Sequence, residues 1–216
     1  MPAISFPPET LLAAQDVRIA FFDIDGVLTD GGVFFSEHGE TLKRFSILDG
    51  YGLKLLRTAG IVPAVITGRD SKPLRVRLAA LGIEHVRYGT EDKLPAAEAM
   101  LAQLGFGWGE AAAIGDDWPD LPVLGRVAFA AAPANAHAEV RAIVHHVTTA
   151  RGGEGAAREF CDLLLTACGQ YRALLDAALP SIARSGQSSP IAAACVQSKP
   201  SCASISRATD SLSSMP

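Results

Sequence analysis

Two carboxylates stand two residues apart in Phe21-Phe22-Asp23-Ile24-Asp25-Gly26-Val27-Leu28-Thr29-Asp30, directly after an apolar run. A second apolar run ends in Ile66-Thr67-Gly68-Arg69, and a third in Ile114-Gly115-Asp116-Asp117, with Asp120 close behind. Carboxylates that converge in a partly desolvated site repel one another unless a cation joins them. An all-oxygen donor set without His or Cys selects a hard metal, and Mg²⁺ usually takes one or two carboxylates together with a substrate phosphate. Asp23 and Asp116 suit that role. With the charge neutralised, Asp23 could attack phosphorus and form an aspartyl-phosphate. Asp25 would then serve as acid for the leaving alkoxide and base for the hydrolytic water. Thr67 would donate a hydroxyl hydrogen bond to the phosphoryl group, and Gly68 would allow close backbone approach. Lys93, at the start of a predicted helix, would supply a fixed positive charge. Taken singly these residues are ordinary, because Asp-x-Asp also makes turns and lysines are usually solvated. Their order, each at a predicted strand end or helix start, points to phosphoryl transfer.

Something must bring those strand ends together. Short runs at 18–22, 64–66, 85–88, 112–114, 127–130 and 143–147 read as strands. Between them 50–59, 71–81, 94–104 and 121–125 read as helices, with Asp49 and Ser71 as N-caps. The alternation predicts an α/β fold, a Rossmann-like parallel sheet with helices on both faces. Ligands of such sheets bind beyond the C-terminal strand ends, where these polar residues fall. Pro63 suits a strand interior badly, so that strand is expected to begin after it. Segment 31–46 reads as a β-hairpin flap. About 40 residues separate Asp25 from Thr67 and about 50 separate Thr67 from Asp116; both intervals are filled by these elements, leaving no room for a cap domain.

The 216 residues, 49% hydrophobic, can bury one good core. The expected organisation is an N-terminal extension at 1–15, a single domain at 16–179, and a tail at 180–216. That tail, rich in Ser, Ala and Pro, is expected to be disordered because it has too little apolar surface to offset its ordering entropy. A net charge of −4 without a dense basic run gives no footprint for nucleic acid or an anionic membrane. Residues 1–15 lack the pattern of a signal peptide, and no apolar run approaches the roughly 18 residues needed to span a bilayer. The four cysteines form neither a disulfide framework nor a zinc pattern, and the five histidines share no metal-ligand spacing. A cytoplasmic protein acting on a small molecule fits these features.

The four motifs at Asp23-Ile24-Asp25-Gly26, Thr67, Lys93 and Gly115-Asp116-Asp117-Trp118-Pro119-Asp120 resemble those of the haloacid dehalogenase superfamily. Asp25 to Gly31, Asp49-Gly50-Tyr51-Gly52, Ile66-Thr67-Gly68-Arg69 and Gly152-Gly153-Glu154-Gly155-Ala156-Ala157-Arg158-Glu159 are similar to the capless 3-deoxy-D-manno-octulosonate 8-phosphate phosphatases. The resemblance covers about residues 12 to 175. It implies Mg²⁺ dependence, a homotetramer, a phosphorylated sugar acid as substrate and a place in lipopolysaccharide precursor synthesis. It also implies that Asp25 meets the metal through its main-chain carbonyl beside Asp23 and Asp116, with Asp117 and Asp120 standing behind them. Trp118-Pro119 directly follows Asp117, whereas the family places such a pair after the last aspartate.

Arg69 and Arg77 are eight residues apart, slightly more than two helical turns, so they are expected on one helix face. Together they could hold a substrate carboxylate, which the resemblance places across a subunit interface. Val33, Phe34 and Phe35 of the flap would form that interface. Two alternatives compete with this reading. One is a nine-carbon sugar acid 9-phosphate, or another small metabolite, as substrate; Arg69 after Thr-Gly favours the eight-carbon acid, since the nonulosonate enzymes tend to carry Glu there. The other is a receiver-type phospho-accepting module, which has no need of Asp25 as an acid two residues beyond the nucleophile.

Overall fold

The computed structural model describes residues 3–179; the tail expected at 180–216 lies outside them. Along the chain run α1 (Pro8–Ala14), β1 (Ile19–Phe22), β2 (Phe34–Ser36), β3 (Gly39–Leu42), α2 (Ile47–Thr58), β4 (Val62–Ile66), α3 (Lys72–Leu81) and β5 (His85–Arg87). Then follow α4 (Lys93–Leu104), β6 (Ala111–Ile114), α5 (Leu121–Leu124), β7 (Phe129–Ala132), α6 (Ala138–Ile143), β8 (His146–Val147), α7 (Ala156–Ala167) and α8 (Tyr171–Ala178). Six strands form one parallel sheet in the order β5-β4-β1-β6-β7-β8, and β2 and β3 pair antiparallel as a separate hairpin.

Period-2 alternation along each strand assigns its side chains to opposite faces of the sheet. Ala20 and Phe22 of β1, Val65 of β4 and Ile114 of β6 join one core with Leu53 and Leu56 of α2, Leu74 and Leu78 of α3 and Phe160 of α7. Ile19 and Phe21 of β1, Ala64 and Ile66 of β4 and Ala113 of β6 join the other with Met100 and Leu101 of α4, Val123 of α5 and Val140 of α6. Both faces of β1 are therefore buried, and its apolar run has no polar alternation to show. The chain leaves β1 towards β4 and β5, then returns to β6 on the other side of β1. The crevice beyond β1 is thus a topological switch point.

Several local expectations change. Pro63 lies inside β4, opposite Ala20, because Val62 donates to the Arg18 carbonyl and so turns the Pro63 nitrogen towards β5, whose pairing starts only at Ala64. Ser46, not Asp49, caps α2, accepting from the Asp49 N–H at 3.5 Å. Asp49 instead serves α7: its carboxylate accepts from Arg158 N–H at 2.8 Å and Gly155 N–H at 3.3 Å. Ser71 is the N-cap of α3 by position, but its hydroxyl bonds Glu40 rather than the helix. Residues 127–130 pair two positions later than expected, and Ile143 ends a helix, which leaves only His146–Val147 as strand. Within the N-terminal extension, α1 packs on α7, and Ala14 enters the core.

Candidate active site

β1 stops at Phe22 because the next residues close a loop on themselves. The Ile24 carbonyl accepts from the N–H groups of Val27, Leu28 and Thr29, while the Thr29 hydroxyl accepts from Gly26 and Gly31 N–H. Gly26 sits at φ +100, and a Cβ there would lie 2.0 Å from an Asp116 carboxylate oxygen. A Cβ on Gly152 would fall 1.7 Å from the Gly26 carbonyl, and Gly153 N–H donates to the Val27 carbonyl at 2.9 Å. The glycine-rich segment before α7 therefore packs directly against the Asp25-Gly26 turn.

Asp23 is buried at the end of β1, its N–H bonded to the Ile114 carbonyl at 3.2 Å. The Lys93 ammonium reaches it from the first turn of α4 and donates to Asp23 Oδ1 and Asp120 Oδ1, both at 2.6 Å. Asp116 follows β6, and its carboxylate can approach those of Asp23 and Asp120 within 4.8 Å. Asp120 closes the 3₁₀ turn Trp118–Asp120, its Oδ2 accepting from Asp116 N–H at 3.0 Å and Asp117 N–H at 3.4 Å. Both Asp120 oxygens are thus committed, which leaves Asp23 and Asp116 better placed to offer oxygens to a cation. Asp117 is exposed and caps the turn through Trp118 N–H at 2.8 Å. The displaced Trp118-Pro119 pair is absorbed by this turn, and the Trp118 indole N–H donates to His137 Nδ1 at 3.1 Å.

One buried ammonium faces three carboxylates, and the imbalance shows in their proton affinities. Burial first, then the Asp120 charge, pushes Asp23 up to about 7 despite Lys93. Burial, then Asp23 and Asp120, pushes Asp116 up to about 8. Burial works against the Lys93 ammonium, but Asp23 and Asp120 outweigh it and raise its pKa. A divalent cation would remove this conflict, and the all-oxygen donor set fits a hard one.

Thr67 is buried at the end of β4, where its Oγ1 accepts from Arg69 N–H at 3.3 Å. Gly68 follows, with Glu91 and Thr90 the nearest atoms to a Cβ placed there. Asp25 lies outside the three-carboxylate group: Lys43 donates to its Oδ1, and Arg69 Nε lies 3.6 Å from its Oδ2. The helix face expected to carry both Arg69 and Arg77 does not exist, because α3 begins only at Lys72 and Arg69 lies in the preceding loop. Arg77 turns to the start of α2, donating from Nη2 to the Ser46 carbonyl at 3.3 Å, with its guanidinium 5.8 Å from the Phe45 ring centre.

No family model matches the sequence. The 3-deoxy-D-manno-octulosonate 8-phosphate phosphatase of Yersinia pestis is 42% identical over 159 residues, which cover 74% of this chain and 85% of that protein. The namesake of Escherichia coli K12 is 40% identical over 162 residues, 75% of this chain and 86% of its own length. This chain belongs to the 3-deoxy-D-manno-octulosonate 8-phosphate phosphatase family. A solved member from Moraxella catarrhalis, in complex with a magnesium ion, a phosphate ion and a KDO molecule, is 36% identical. It superposes with a TM-score of 0.76 and covers 78% of this chain and 97% of its own.

Two charged residues that spacing did not single out lie beside Asp25. Lys43 and Glu40 are nearly buried beside Asp25, with side chains 1% and 9% exposed. Charged residues at the end of a short exposed hairpin are ordinarily solvated, so only the contacts of Lys43 with Asp25 and Glu40 in the folded chain reveal their place.

Proposed function

We propose that the chain hydrolyses 3-deoxy-D-manno-octulosonate 8-phosphate in lipopolysaccharide precursor synthesis, with Mg²⁺ as cofactor. The observation that carries this reading is the buried Asp23–Lys93–Asp120 arrangement beside Asp116 at the end of β1. Family membership and the magnesium, phosphate and KDO of the Moraxella catarrhalis relative support it. Asp23 and Asp116, with the Asp25 carbonyl, would hold Mg²⁺, which neutralises carboxylate and phosphoryl charge when bound. Asp23, held by Lys93, forms its bond to phosphorus as the bond to the sugar oxygen breaks, and Asp25 gives its proton to that oxygen. Asp25 then takes a proton from water as the water oxygen bonds phosphorus and the bond to Asp23 breaks. Thr67, the Gly68 backbone and Lys93 hold the phosphoryl oxygens through both steps.

Arg69, 48% exposed, lies 3.6 Å from Asp25 and 3.9 Å from Glu40, contacts long enough to let its guanidinium also meet the substrate carboxylate. Arg77, held at the start of α2, is assigned to fixing that helix. A phosphate-release screen over sugar phosphates, with Mg²⁺ and with chelator, tests the reading. It should rank the eight-carbon acid above a nine-carbon acid 9-phosphate, and the reverse order would refute the substrate. Arg69→Ala should cut kcat/KM for the acid at least tenfold more than for p-nitrophenyl phosphate, which has no carboxylate. No helix among the described residues is long and apolar enough to cross a membrane, and a cytoplasmic homotetramer is the setting we propose.

A further inference from the structure

The Lys43 side chain is buried although the hairpin before it stands in solvent, with Phe34, Phe35 and Leu42 all more than half exposed. Burying an ammonium is costly unless it is paired, and Lys43 meets two carboxylates, Asp25 Oδ1 and Glu40 Oε1, the latter at 3.0 Å. Glu40 is fixed in turn by the Ser71 hydroxyl at 3.0 Å, and its Oε2 lies 3.9 Å from Arg69 Nη1. A chain of contacts therefore runs from the loop before α3, through Glu40 and Lys43, to one oxygen of the Asp25 carboxylate.

We propose that Lys43 is a positioning residue for Asp25: by holding Oδ1, while Arg69 Nε stands 3.6 Å from Oδ2, it fixes the carboxyl so that Oδ2 can face the leaving oxygen and carry the proton in both steps. The inference rests on the acid–base role proposed above for Asp25. In the first step the Asp23–phosphorus bond forms, the phosphorus–sugar oxygen bond breaks, and the proton on Oδ2 passes to the departing oxygen. In the second, water bonds phosphorus, the Asp23–phosphorus bond breaks, and the proton of water returns to Oδ2. A carboxyl free to turn about its last bonds would spend much of its time facing away from these atoms.

Leaving-group chemistry separates positioning from architecture. An alkoxide departs poorly without a proton, whereas p-nitrophenolate needs none, and kcat/KM reports only the first phosphoryl transfer. The full chain with Mg²⁺ is assayed on the sugar acid phosphate, on ribose 5-phosphate, which has an alkyl leaving group and no carboxylate, and on p-nitrophenyl phosphate. Asp25→Asn should lose at least tenfold more on the alkyl ester than on the aryl ester. Lys43→Met should show the same selective loss, at least fivefold, and Lys43→Arg should recover most of it, with melting curves verifying that each variant is folded. If Lys43→Met lost equally on both esters, or lost nothing, while Asp25→Asn stayed selective, the positioning role would be refuted and the acid–base role of Asp25 would stand. A loss confined to the sugar acid phosphate would make Lys43 a carboxylate ligand and equally overturn the proposal. Equal losses for Asp25→Asn would remove the acid–base reading itself, and the inference with it.

Discussion

Asp23 and Asp116 hold their protons into the neutral range because burial and like charge both resist ionisation, with values of about 7 and about 8 in the metal-free protein. A cation binds their ionised forms, so Mg²⁺ binding should expel protons and strengthen between about pH 6 and 8.5. Titration calorimetry in buffers of different ionisation enthalpy would detect the release near pH 7; a buffer-independent enthalpy would mean the carboxylates are already ionised. The sign for stability follows from the same shifts. Folded Asp23 and Asp116 keep protons that the unfolded chain gives up near 3.8, so their contribution in chelator is full below that value. It falls as pH rises through about 7 to 8, and added Mg²⁺ should restore it. Melting temperatures in chelator that rose across this window would contradict the assignment. Asp23→Asn, whose amide neither attacks phosphorus nor offers charge, should leave less than about one percent of turnover.

Elements fix the site through two segments far apart in sequence. Asp49 lies in the first turn of α2 yet holds the N-terminus of α7, and a Cβ on Gly52 would press on Cys161 at 3.1 Å. The glycines that lead into α7 then seat the Asp25-Gly26 turn. Asp49→Ala would strand the N–H groups of Gly155 and Arg158, costing about 1–3 kcal/mol, and would loosen the turn that carries Asp25. Urea denaturation should show a lower midpoint together with a reduced kcat, and an unchanged midpoint would mean that water replaces the carboxylate without penalty.

At the scale of the molecule, seven of the thirteen exposed large apolar residues among the described residues fall between Val33 and Tyr51. Phe34, Phe35 and Leu42 of the hairpin are 55%, 69% and 67% exposed, and Ile47 and Leu48 at the start of α2 are 83% and 58% exposed. Apolar surface of this kind marks an interface, and the expected outcome is self-association through the hairpin. Sedimentation velocity at micromolar concentration should give an oligomer for the native chain and smaller species for Phe35→Asp. A native monomer would defeat the expectation.

Sequence alone determined the α/β class, the sheet strands that carry the site, and the positions of Asp23, Thr67, Lys93 and Asp116, because strand ends and helix starts are local events that local residue types record. The hairpin was legible for the same reason, from its aromatic run and the turn at Gly39. The tertiary structure alone decided which partner each polar residue takes. Asp49 resembles a cap for its own helix but serves one about a hundred residues away, and Arg69 resembles a helix residue but lies before the helix, beside Asp25. Lys43 resembles a solvated lysine and is buried. Hydrogen bonds and ion pairs act over a few ångströms in space with no preferred separation in sequence, so no periodicity announces them. Packing of the hairpin, α2 and α7 around the end of β1 chooses them, and only the folded chain displays that choice.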